Sequence, residues 1–386
     1  MLRSNLDTVL LQTREIAREV VAVNAARCDR DASWPAEGIR AMQAAGLAGL
    51  VVPKAHGGLG QGLLALAQVC ETLGQECAST AICFGMHCVG SSVVAAHVTP
   101  AQQDQFLTPI VEGRHITTLS LSEPGTGVHF YLPQTSLRPM VDGFTVSGTK
   151  TFVTNGGYAD SYVVSTVIEA PEAPTGQFTC VIVPSHTKGL EWGPPWNGLG
   201  LRGNSSRSLK LDDVVIPRAN LLGREGEHIW YIFNVVCPYF LIAIAGTYLG
   251  VASSALAEIR AHLAQRHHTH SGQTLAQIPV LQHRLAALWI TVERTRRLIY
   301  NAASSFDAGD PDALIALMAS KVEVAECVVH VVNEVMTLAG GIAYRSDSRL
   351  HRMLRDARAA DLMSPSTDIL RTWIGRALLG QPLLSD

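Results

Sequence analysis

The spacing of apolar residues predicts helices at both ends of the chain. Residues 1–115 carry apolar side chains at helical spacing. Residues 226–386 do so over longer periods that short loops separate, as in an up-down helical bundle. These longer periods cover residues 239–265, 279–305, 311–338 and 366–379.

Residues 116–225 follow a different pattern. They contain short β-branched or aromatic runs at 144–146, 162–167 and 178–183, and turn residues such as Asp142-Gly143 separate these runs. This pattern is typical of antiparallel strands. We therefore predict an α+β fold, with an N-terminal all-helical domain, a middle antiparallel β-barrel domain and a C-terminal four-helix bundle.

The composition excludes several functions. Apolar residues make up 47% and charged residues 16% of the 386 positions, which argues against disorder. The net charge of −3 provides no general attraction to nucleic acid or to an anionic membrane. Eight cysteines without a C-x-x-C motif favour reduced, buried thiols over a disulfide framework. Because Asp7, Arg14 and Glu15 lie where a secretion signal would be apolar, we expect a cytoplasmic protein.

One segment is apolar enough to be considered as a membrane span. Residues 228–257 contain no formal charge, and residues 239–250 are strongly apolar. Pro238 and several small polar residues interrupt the segment, and its flanks lack a clear basic asymmetry. We therefore expect a buried bundle helix in place of a membrane helix.

Three motifs follow one another in the middle region. They are L-S-E-P-G-T-G at 121–127, G-T-K-T-F-V-T-N-G at 148–156, and G-L-G-L-R-G at 198–203 followed by D-D-V-V-I-P at 212–217. They resemble the T-E-P-x-x-G-S-D, G-x-K-x-W-I-T-N-G and M-G-x-R … D-D-V-x-V-P motifs of the acyl-CoA dehydrogenase family. With the order of the three domains, this resemblance covers nearly the whole chain.

The resemblance implies a FAD-dependent oxidoreductase that acts on an acyl thioester of CoA or of an acyl carrier protein, as a homodimer or homotetramer. Backbone N–H groups and a hydroxyl at a strand end suit the polar edge of a flavin. By resemblance, the flavin contacts are Leu119, Leu121, Ser122, Phe152 and Thr154, with Gly127 near the pyrophosphate.

The resemblance also implies cofactor contacts that reach a neighbouring subunit, although this chain departs from both family motifs. His268 stands where the family has an Arg, and Arg266 can supply the cation from two residues upstream. Thr337 stands where the family has a Gln, before Gly340 and Gly341. Ser366 and Asp368, in the last active-site loop, are further cofactor candidates. No carboxylate or cysteine adjoins the histidines near 268, so we predict no metal site.

The last active-site loop differs from the family motif at the position of the family's catalytic base. Residues 355–369 resemble the family's R-D-A … Y-E-G-T-S-E-I, whose Glu removes the α-proton of the acyl group. Here Ser364 replaces that Glu and Pro365 replaces the following Gly. A hydroxyl cannot act as an unaided base at neutral pH. Some family members carry the base on the helix that corresponds to residues 239–258 instead, and Phe240 occupies that position.

Other residues could take over part of the chemistry. The expected substrate pocket contains His87, Val128, Phe240, Met363 and Ser364. Of these, Ser364 keeps a backbone N–H that can polarise a thioester carbonyl. His87 is a candidate proton donor or acceptor, although a histidine among apolar neighbours is also typical of a hydrogen-bonded core residue. Asp361 is a further candidate for a relocated base.

Three functions remain compatible with the missing base. In the first, which we favour, reduced FAD and O₂ oxygenate the substrate, which requires no α-proton base. A separate flavin reductase would supply the electrons, since the sequence has no nicotinamide-binding fingerprint. In the second, a dehydrogenase with a relocated base passes electrons to an electron-transfer flavoprotein. In the third, the chain is a catalytically silent flavoprotein subunit.

Overall fold

A computed structural model describes residues 5–169, 179–224 and 228–384. The N-terminal part is helical throughout, and short π-helical segments continue two of its helices. These helices are α1 (Asn5–Ile16), α2 (Ala22–Arg30), α3 (Ala36–Ala44), α4 (Leu63–Gly74), α5 (Ala78–Ala96), α6 (Pro100–Gln102) and α7 (Thr108–Val111). Most of α5 is buried, so this helix forms the core of the domain.

The middle part is one sheet with the strand order β6-β7-β3-β2-β4-β5-β8, and β1 pairs with β4. Its strands are β1 (Thr117–Ser120), β2 (Ser136–Met140), β3 (Gly143–Val153), β4 (Ser161–Ile168), β5 (Thr179–Pro184), β6 (Leu190–Trp192), β7 (Arg207–Pro217) and β8 (Leu221–Leu222). The predicted strand at 178–183 is β5, and residue 178 lies outside the described residues.

Two strand pairs differ from the predicted antiparallel arrangement. β4 pairs in parallel with both β1 and β2, whereas the other pairs of described strands are antiparallel. The connections from β1 and from β2 to β4 are long enough to return the chain in the same direction, which a tight hairpin cannot do. Turn residues in the sequence do not reveal the parallel pairing of β4, because they indicate only how consecutive strands are connected.

The C-terminal part is the predicted helical bundle. Its helices are α8 (His228–Tyr231), α9 (Cys237–Gln265), α10 (Pro279–Ala308), α11 (Ala313–Ala339), α12 (Arg349–Ala357), α13 (Ala359–Leu362) and α14 (Thr367–Leu378). A π-helical segment, Ile232–Val236, joins α8 to α9. The four predicted helical periods correspond to α9, α10, α11 and α14. The predicted domain boundary at 225–226 lies outside the described residues.

Among the described residues, two helical stretches are long and apolar enough to cross a membrane. They are Ala78–Ala96 and Ile232–Gln265, and the protein buries 94% and 89% of their most apolar windows. This burial is expected of core helices in a bundle, as predicted for the segment that contains residues 239–250.

Hydrogen bonds between distant residues join the three parts. The Asn155 side chain accepts a hydrogen bond from the Trp34 indole at 2.8 Å and donates one to the Cys83 carbonyl at 2.9 Å. The Asp356 carboxylate accepts one from the backbone N–H of Leu201 at 2.6 Å. The turn after β3 is therefore fixed to the N-terminal helices, and the loop before β7 is fixed to α12.

Candidate active site

The three parts of the protein meet around a cavity of about 800 Å³. Its walls include Met86 from α5, the β1 end and following loop, the end of β3, the start of α9, and the loop between α13 and α14. The cavity contains the six residues predicted to lie against the flavin and its pyrophosphate. These are Leu119, Leu121, Ser122, Gly127, Phe152 and Thr154. Gly198, Leu199 and Leu201 of the third motif line the same cavity, so residues from all three motifs form a single site.

The predicted substrate-pocket residues, with the exception of His87, line the same cavity. They are Val128, Phe240, Met363 and Ser364. Both expected positions of the family's base, 240 and 364, therefore face the cavity, and neither carries a carboxylate. The side chains at these positions are a phenyl ring and a hydroxyl.

A buried ion pair holds the β-domain wall in place. The Lys150 ammonium donates to Glu123 Oε1 at 2.6 Å, and also to the carbonyl and hydroxyl oxygens of Ser165 at 2.6 and 2.9 Å. Glu123 accepts further hydrogen bonds from the Gln134 N–H and from the N–H and hydroxyl of Thr135. These contacts fix the loop that follows β1.

The same contacts determine the charge state of the pair. Burial lowers the pKa of Lys150 to about 8, although the Glu123 carboxylate opposes this effect. Burial also acts to raise the pKa of Glu123, but the Lys150 ammonium and the hydrogen bonds outweigh it and hold this pKa below its usual range. Glu123 is consequently an ionised structural group that Lys150 has already neutralised.

Phe152 has an unusual backbone conformation at the cavity wall. Its φ angle is 55°, in the left-handed region that residues other than glycine rarely adopt. The ring is 66% exposed, and its nearest aromatic neighbour is Trp196, in an edge-to-face contact with ring centres 6.3 Å apart. A strained backbone that presents a large apolar ring to open space is typical of a ligand site.

Other features of the walls fit a flavin cofactor. Asn204 Oδ1 and Ser364 Oγ are buried atoms at the cavity that have no hydrogen-bond partner among the described residues. Gly127 has a φ of 53°, and no atom lies within 4 Å of the place where a Cβ would stand. A phosphate can therefore approach this backbone closely, while the orphaned oxygens are available to polar groups of a ligand.

His87 does not face the cavity, so the prediction that it acts as a proton donor or acceptor there is corrected. Its side chain is fully buried, with Nε2 2.9 Å from the Ala48 carbonyl. Nδ1 accepts a hydrogen bond from the Thr117 N–H at 3.2 Å. Both ring nitrogens are therefore used, and burial lowers the pKa to about 4. His87 is a neutral core residue that joins α5 to β1.

Asp361 is also occupied elsewhere. Its carboxylate accepts hydrogen bonds from Arg358 at 2.7 Å and from the Thr367 hydroxyl at 3.4 Å. Arg358 is among the cavity-lining residues, whereas Asp361 is not. The geometry therefore gives Asp361 a role in connecting α13 to α14, and the prediction of a relocated base at this position receives no support.

The remaining predicted cofactor contacts lie outside this cavity. Arg266, Thr337, Gly340 and Gly341 are solvent-exposed in the single subunit, and His268 is partly exposed. Ser366 precedes α14, and Asp368, in the first turn of that helix, has a side chain that is 98% exposed. Their role in binding a neighbouring subunit's cofactor stays a prediction. Within the described ranges, no group of three or more His, Cys, Asp or Glu residues could hold a metal ion.

The sequence reasoning missed the buried residues that position these walls. Asp356 is one of them, because its carboxylate holds the loop containing Leu201, and burial raises the pKa of this carboxyl to about 7 against the effect of that hydrogen bond. Arg355, its neighbour, donates to the Asp29 carboxylate and to the Leu199 carbonyl. The resemblance at 355–357 was the signal that could have identified both residues as important.

Comparison with known proteins identifies the family. The models "Acyl-CoA dehydrogenase, N-terminal domain", "middle domain" and "C-terminal domain" match residues 6–114, 118–214 and 241–379. The human mitochondrial short-chain specific acyl-CoA dehydrogenase is 30% identical over 376 residues, which cover 96% of this chain and 89% of the relative. The chain belongs to the acyl-CoA dehydrogenase family.

Further relatives agree with this assignment. The short-chain specific acyl-CoA dehydrogenase of Clostridium acetobutylicum is 29% identical, and the match covers 94% of this chain and 95% of the relative. The solved structure of butyryl-CoA dehydrogenase from Megasphaera elsdenii superposes with a TM-score of 0.91 and 25% identity, covering 98% of this chain and 99% of that one. The predicted three-part fold is thus confirmed, and the protein is an oxidoreductase that uses FAD.

Proposed function

We propose that this acyl-CoA dehydrogenase family member is a FAD-dependent monooxygenase that acts on an acyl thioester. The observation that carries the proposal is the composition of the cavity wall. Among its described lining residues the only carboxylate is Glu123, which Lys150 neutralises, and there is no imidazole. Cys237 also lines the cavity, but burial raises the pKa of its thiol to about 12, so it is protonated at neutral pH.

A wall without a free base does not suit α,β-desaturation. That reaction requires a positioned group to accept the α-proton, and such a group typically contributes about 10²- to 10⁴-fold in rate. The two candidates for a relocated base, His87 and Asp361, are engaged in hydrogen bonds away from the cavity. Oxygenation by reduced FAD avoids the requirement, because the substrate does not have to lose an acidic proton first.

The chain's own residues provide what an oxygenation requires. Leu121, Phe152, Phe240 and Met363 give the cavity an apolar lining that excludes water from a reactive centre. Ser364 offers a neutral hydroxyl that can donate or accept one hydrogen bond without taking a proton permanently. Reduced FAD, when bound, supplies two electrons to O₂, so that together with the two electrons of a substrate C–H bond one oxygen atom enters the substrate and the other leaves as water.

The second candidate function is acyl thioester dehydrogenation. Its support is that the relatives at 29% and 30% identity are acyl-CoA dehydrogenases. Under this alternative, the electrons pass to an electron-transfer flavoprotein, whereas the oxygenase receives electrons from a separate flavin reductase. The two functions therefore differ in the direction of electron flow through the cofactor.

We further propose that the protein is a homodimer or homotetramer in which the exposed C-terminal segments contact a neighbouring subunit. The support is the exposure of three large apolar residues on α10, namely Val280, Trp289 and Ile290. Gly340 and Gly341, which the family resemblance places against a neighbour's cofactor, have nothing within 4 Å of a potential Cβ and are open to such a contact. Sedimentation of the FAD-bound protein at micromolar concentration tests this, and a stable monomer would contradict it.

The central experiment separates oxygenation from dehydrogenation. The FAD-bound protein is first reduced chemically without oxygen, and is then mixed with ¹⁸O₂ and a panel of saturated thioesters presented on CoA and on a carrier protein. We expect one ¹⁸O atom in the product and a yield that depends on the thioester. A parallel sample without thioester should return only oxidised FAD and hydrogen peroxide.

The opposite outcome is equally clear. If oxidised protein is bleached rapidly by a saturated acyl-CoA in the absence of oxygen and releases a 2-enoyl product, the protein is a dehydrogenase. If neither reaction occurs with any thioester on either carrier, the oxygenase proposal also fails, and the silent-subunit hypothesis gains support.

A further inference from the structure

The loop between α13 and α14 forms few hydrogen bonds within itself. The Met363 N–H closes α13 on the Ala359 carbonyl at 3.0 Å. The Ser364 hydroxyl oxygen is buried but has no hydrogen-bond partner among the described residues, and Pro365 has no N–H to donate. The segment from Met363 to Pro365 nevertheless forms one wall of the cavity. Groups outside the loop must therefore hold it in position.

The contact that stands out comes from α11. Lys321 is 0% exposed, and its ammonium donates a hydrogen bond to the Met363 carbonyl at 3.3 Å. Burying an ammonium costs several kcal/mol unless polar groups compensate it. A leucine or methionine would fill this place without that cost. The presence of a lysine at this position is therefore best explained by its hydrogen bond to the Met363 carbonyl.

The surroundings of the ammonium are consistent with a charged contact to the loop. Burial lowers the pKa of Lys321 to about 8, whereas the nearby Asp361 carboxylate acts to raise it. Asp361 is itself fixed by Arg358 and by Thr367, so this carboxylate stays beside the loop. From α9, the Tyr248 hydroxyl lies 3.4 Å from the Met363 sulfur. Met363 is thus held at its carbonyl by α11 and at its side chain by α9.

We propose that Lys321 is the positioning residue of this loop: its buried ammonium holds the Met363 carbonyl and thereby fixes Ser364 at the cavity wall. Since α11 is a long, largely buried helix, it provides a rigid base for the contact. The position of the Ser364 N–H and hydroxyl relative to the cofactor and thioester then depends on a side chain that does not line the cavity. This inference holds for either reaction proposed above.

The test compares two neighbouring substitutions on α11 in the FAD-bound protein. Lys321→Met removes the charge and the donor but keeps a similar length. Ser320→Ala is the matched control, because Ser320 is equally buried and its hydroxyl bonds only within the helix, to the Leu317 carbonyl at 2.7 Å. Hydrogen exchange of a peptide covering residues 362–368, the visible spectrum of bound FAD, and the dissociation constant for butyryl-CoA are measured for both.

We expect Lys321→Met to speed exchange in residues 362–368 by at least about tenfold relative to the rest of the protein. The visible FAD band should shift, and butyryl-CoA should bind at least several-fold more weakly. Ser320→Ala should change none of these. Lys321→Gln retains an N–H donor without the charge, and should therefore restore part of the loop's protection; it also serves if the methionine variant does not fold.

Two outcomes would overturn the proposal. In one, the loop exchanges as in the unmodified protein in both Lys321 variants, and the FAD spectrum is unchanged. In the other, protection is lost evenly across the whole chain, which shows a general loss of stability. None of the three measurements requires turnover, so a failure of the oxygenase proposal would leave this test intact.

Discussion

The two walls of the cavity are built in different ways. On the β-domain side, the loop after β1 is held by a buried ion pair between Glu123 and Lys150, and five further hydrogen bonds satisfy these two groups at Ser165, Gln134 and Thr135. On the C-terminal side, the Met363–Pro365 loop has an unsatisfied hydroxyl at Ser364 and is held from behind by Lys321 and Tyr248.

This difference separates binding of the cofactor from the chemistry performed on the substrate. The firmly held wall carries the family motifs, and its residues occupy the positions expected to contact FAD. The C-terminal side carries the changed residues at the two positions where a base is expected: Ser364 on the loosely held loop and Phe240 on α9. A new reaction can therefore arise by changing the second wall while the first continues to bind the same cofactor.

The largest effect is expected from breaking the firm wall. Lys150→Met leaves the Glu123 carboxylate buried without a counter-charge, which typically costs about 3–5 kcal/mol. We expect a correspondingly large fall in the free energy of unfolding, measured by urea denaturation, and loss of FAD during purification.

The control is Lys210→Met, which removes the same charge from an exposed pair with Glu191 on the same sheet. Its unfolding midpoint and FAD content should stay close to those of the unmodified protein. If Lys150→Met retains FAD and unfolds at the same urea concentration as the control, the firm wall does not depend on this ion pair.

The next effect is expected from placing a base on the other wall. Ser364→Glu introduces a carboxylate at the position where the family carries it, so reduction of bound FAD by saturated acyl-CoAs should accelerate by about 10²-fold. We expect the low end of the range for a general base, because Pro365 still restricts the loop. Stopped-flow absorbance under anaerobic conditions gives the rate.

Ser364→Gln is the control for this change, since glutamine has the same size but cannot accept the proton. It should reduce FAD as slowly as the unmodified protein. Equal acceleration by both variants would show that the size of the residue at 364, and not a missing base, limits desaturation.

A smaller effect is expected from His87, which lies behind the walls. His87→Leu leaves the Thr117 N–H and the Ala48 carbonyl without their buried partner, and should cost about 2 kcal/mol of stability. The reaction rate per bound FAD and its pH profile should remain unchanged, because the ring does not face the cavity. A lost limb in the pH profile of turnover would instead restore His87 as a catalytic group.

The last prediction concerns pH. Burial raises the pKa of Asp356 to about 7 in the folded protein, against an ordinary value near 4. Folding therefore takes up a proton between about pH 4 and pH 7. The contribution of this carboxyl group to the free energy of unfolding is complete below pH 4 and is lost as the pH rises to 7, by at most about 1.4 kcal/mol per pH unit.

Asp356→Asn keeps an oxygen that can accept from the Leu201 N–H but does not titrate. The difference in unfolding free energy between the two proteins, measured with urea at pH 5, 6 and 7, should shift in favour of the variant as the pH rises. A difference that is constant from pH 5 to 7 would contradict the raised pKa.

The sequence predicted the elements and the lining of the site more successfully than it predicted the supporting contacts. The helical periods matched α9, α10, α11 and α14, because long amphipathic or apolar segments carry a strong local signal. The residues expected against the flavin line one cavity, since their motifs fix short loops at strand ends. The parallel pairing of β4 was not predicted, because strand direction depends on distant connections.

His87 shows that the local sequence pattern does not reveal which side chains of a buried helix face the cavity. The helix that carries it, α5, is buried on nearly all sides, so its apolar pattern does not indicate which side chains face the cavity. Met86 lines the cavity, whereas His87, the next residue, does not. The Lys321–Met363 and Glu123–Lys150 contacts also join residues that are 42 and 27 positions apart. No local periodicity reports such pairs.

The link between Leu201 and Asp356 joins residues 155 positions apart, and the link between Trp34 and Asn155 spans 121 positions. The cavity therefore exists only when all three domains are folded and docked, so that a molecule bound there favours the native state of the entire chain. A ligand at 100 times its dissociation constant would add about 2.7 kcal/mol to the unfolding free energy. Under the proposed function, FAD bound in this cavity stabilises all three domains together, so the FAD concentration affects the amount of folded protein as well as the amount of active enzyme.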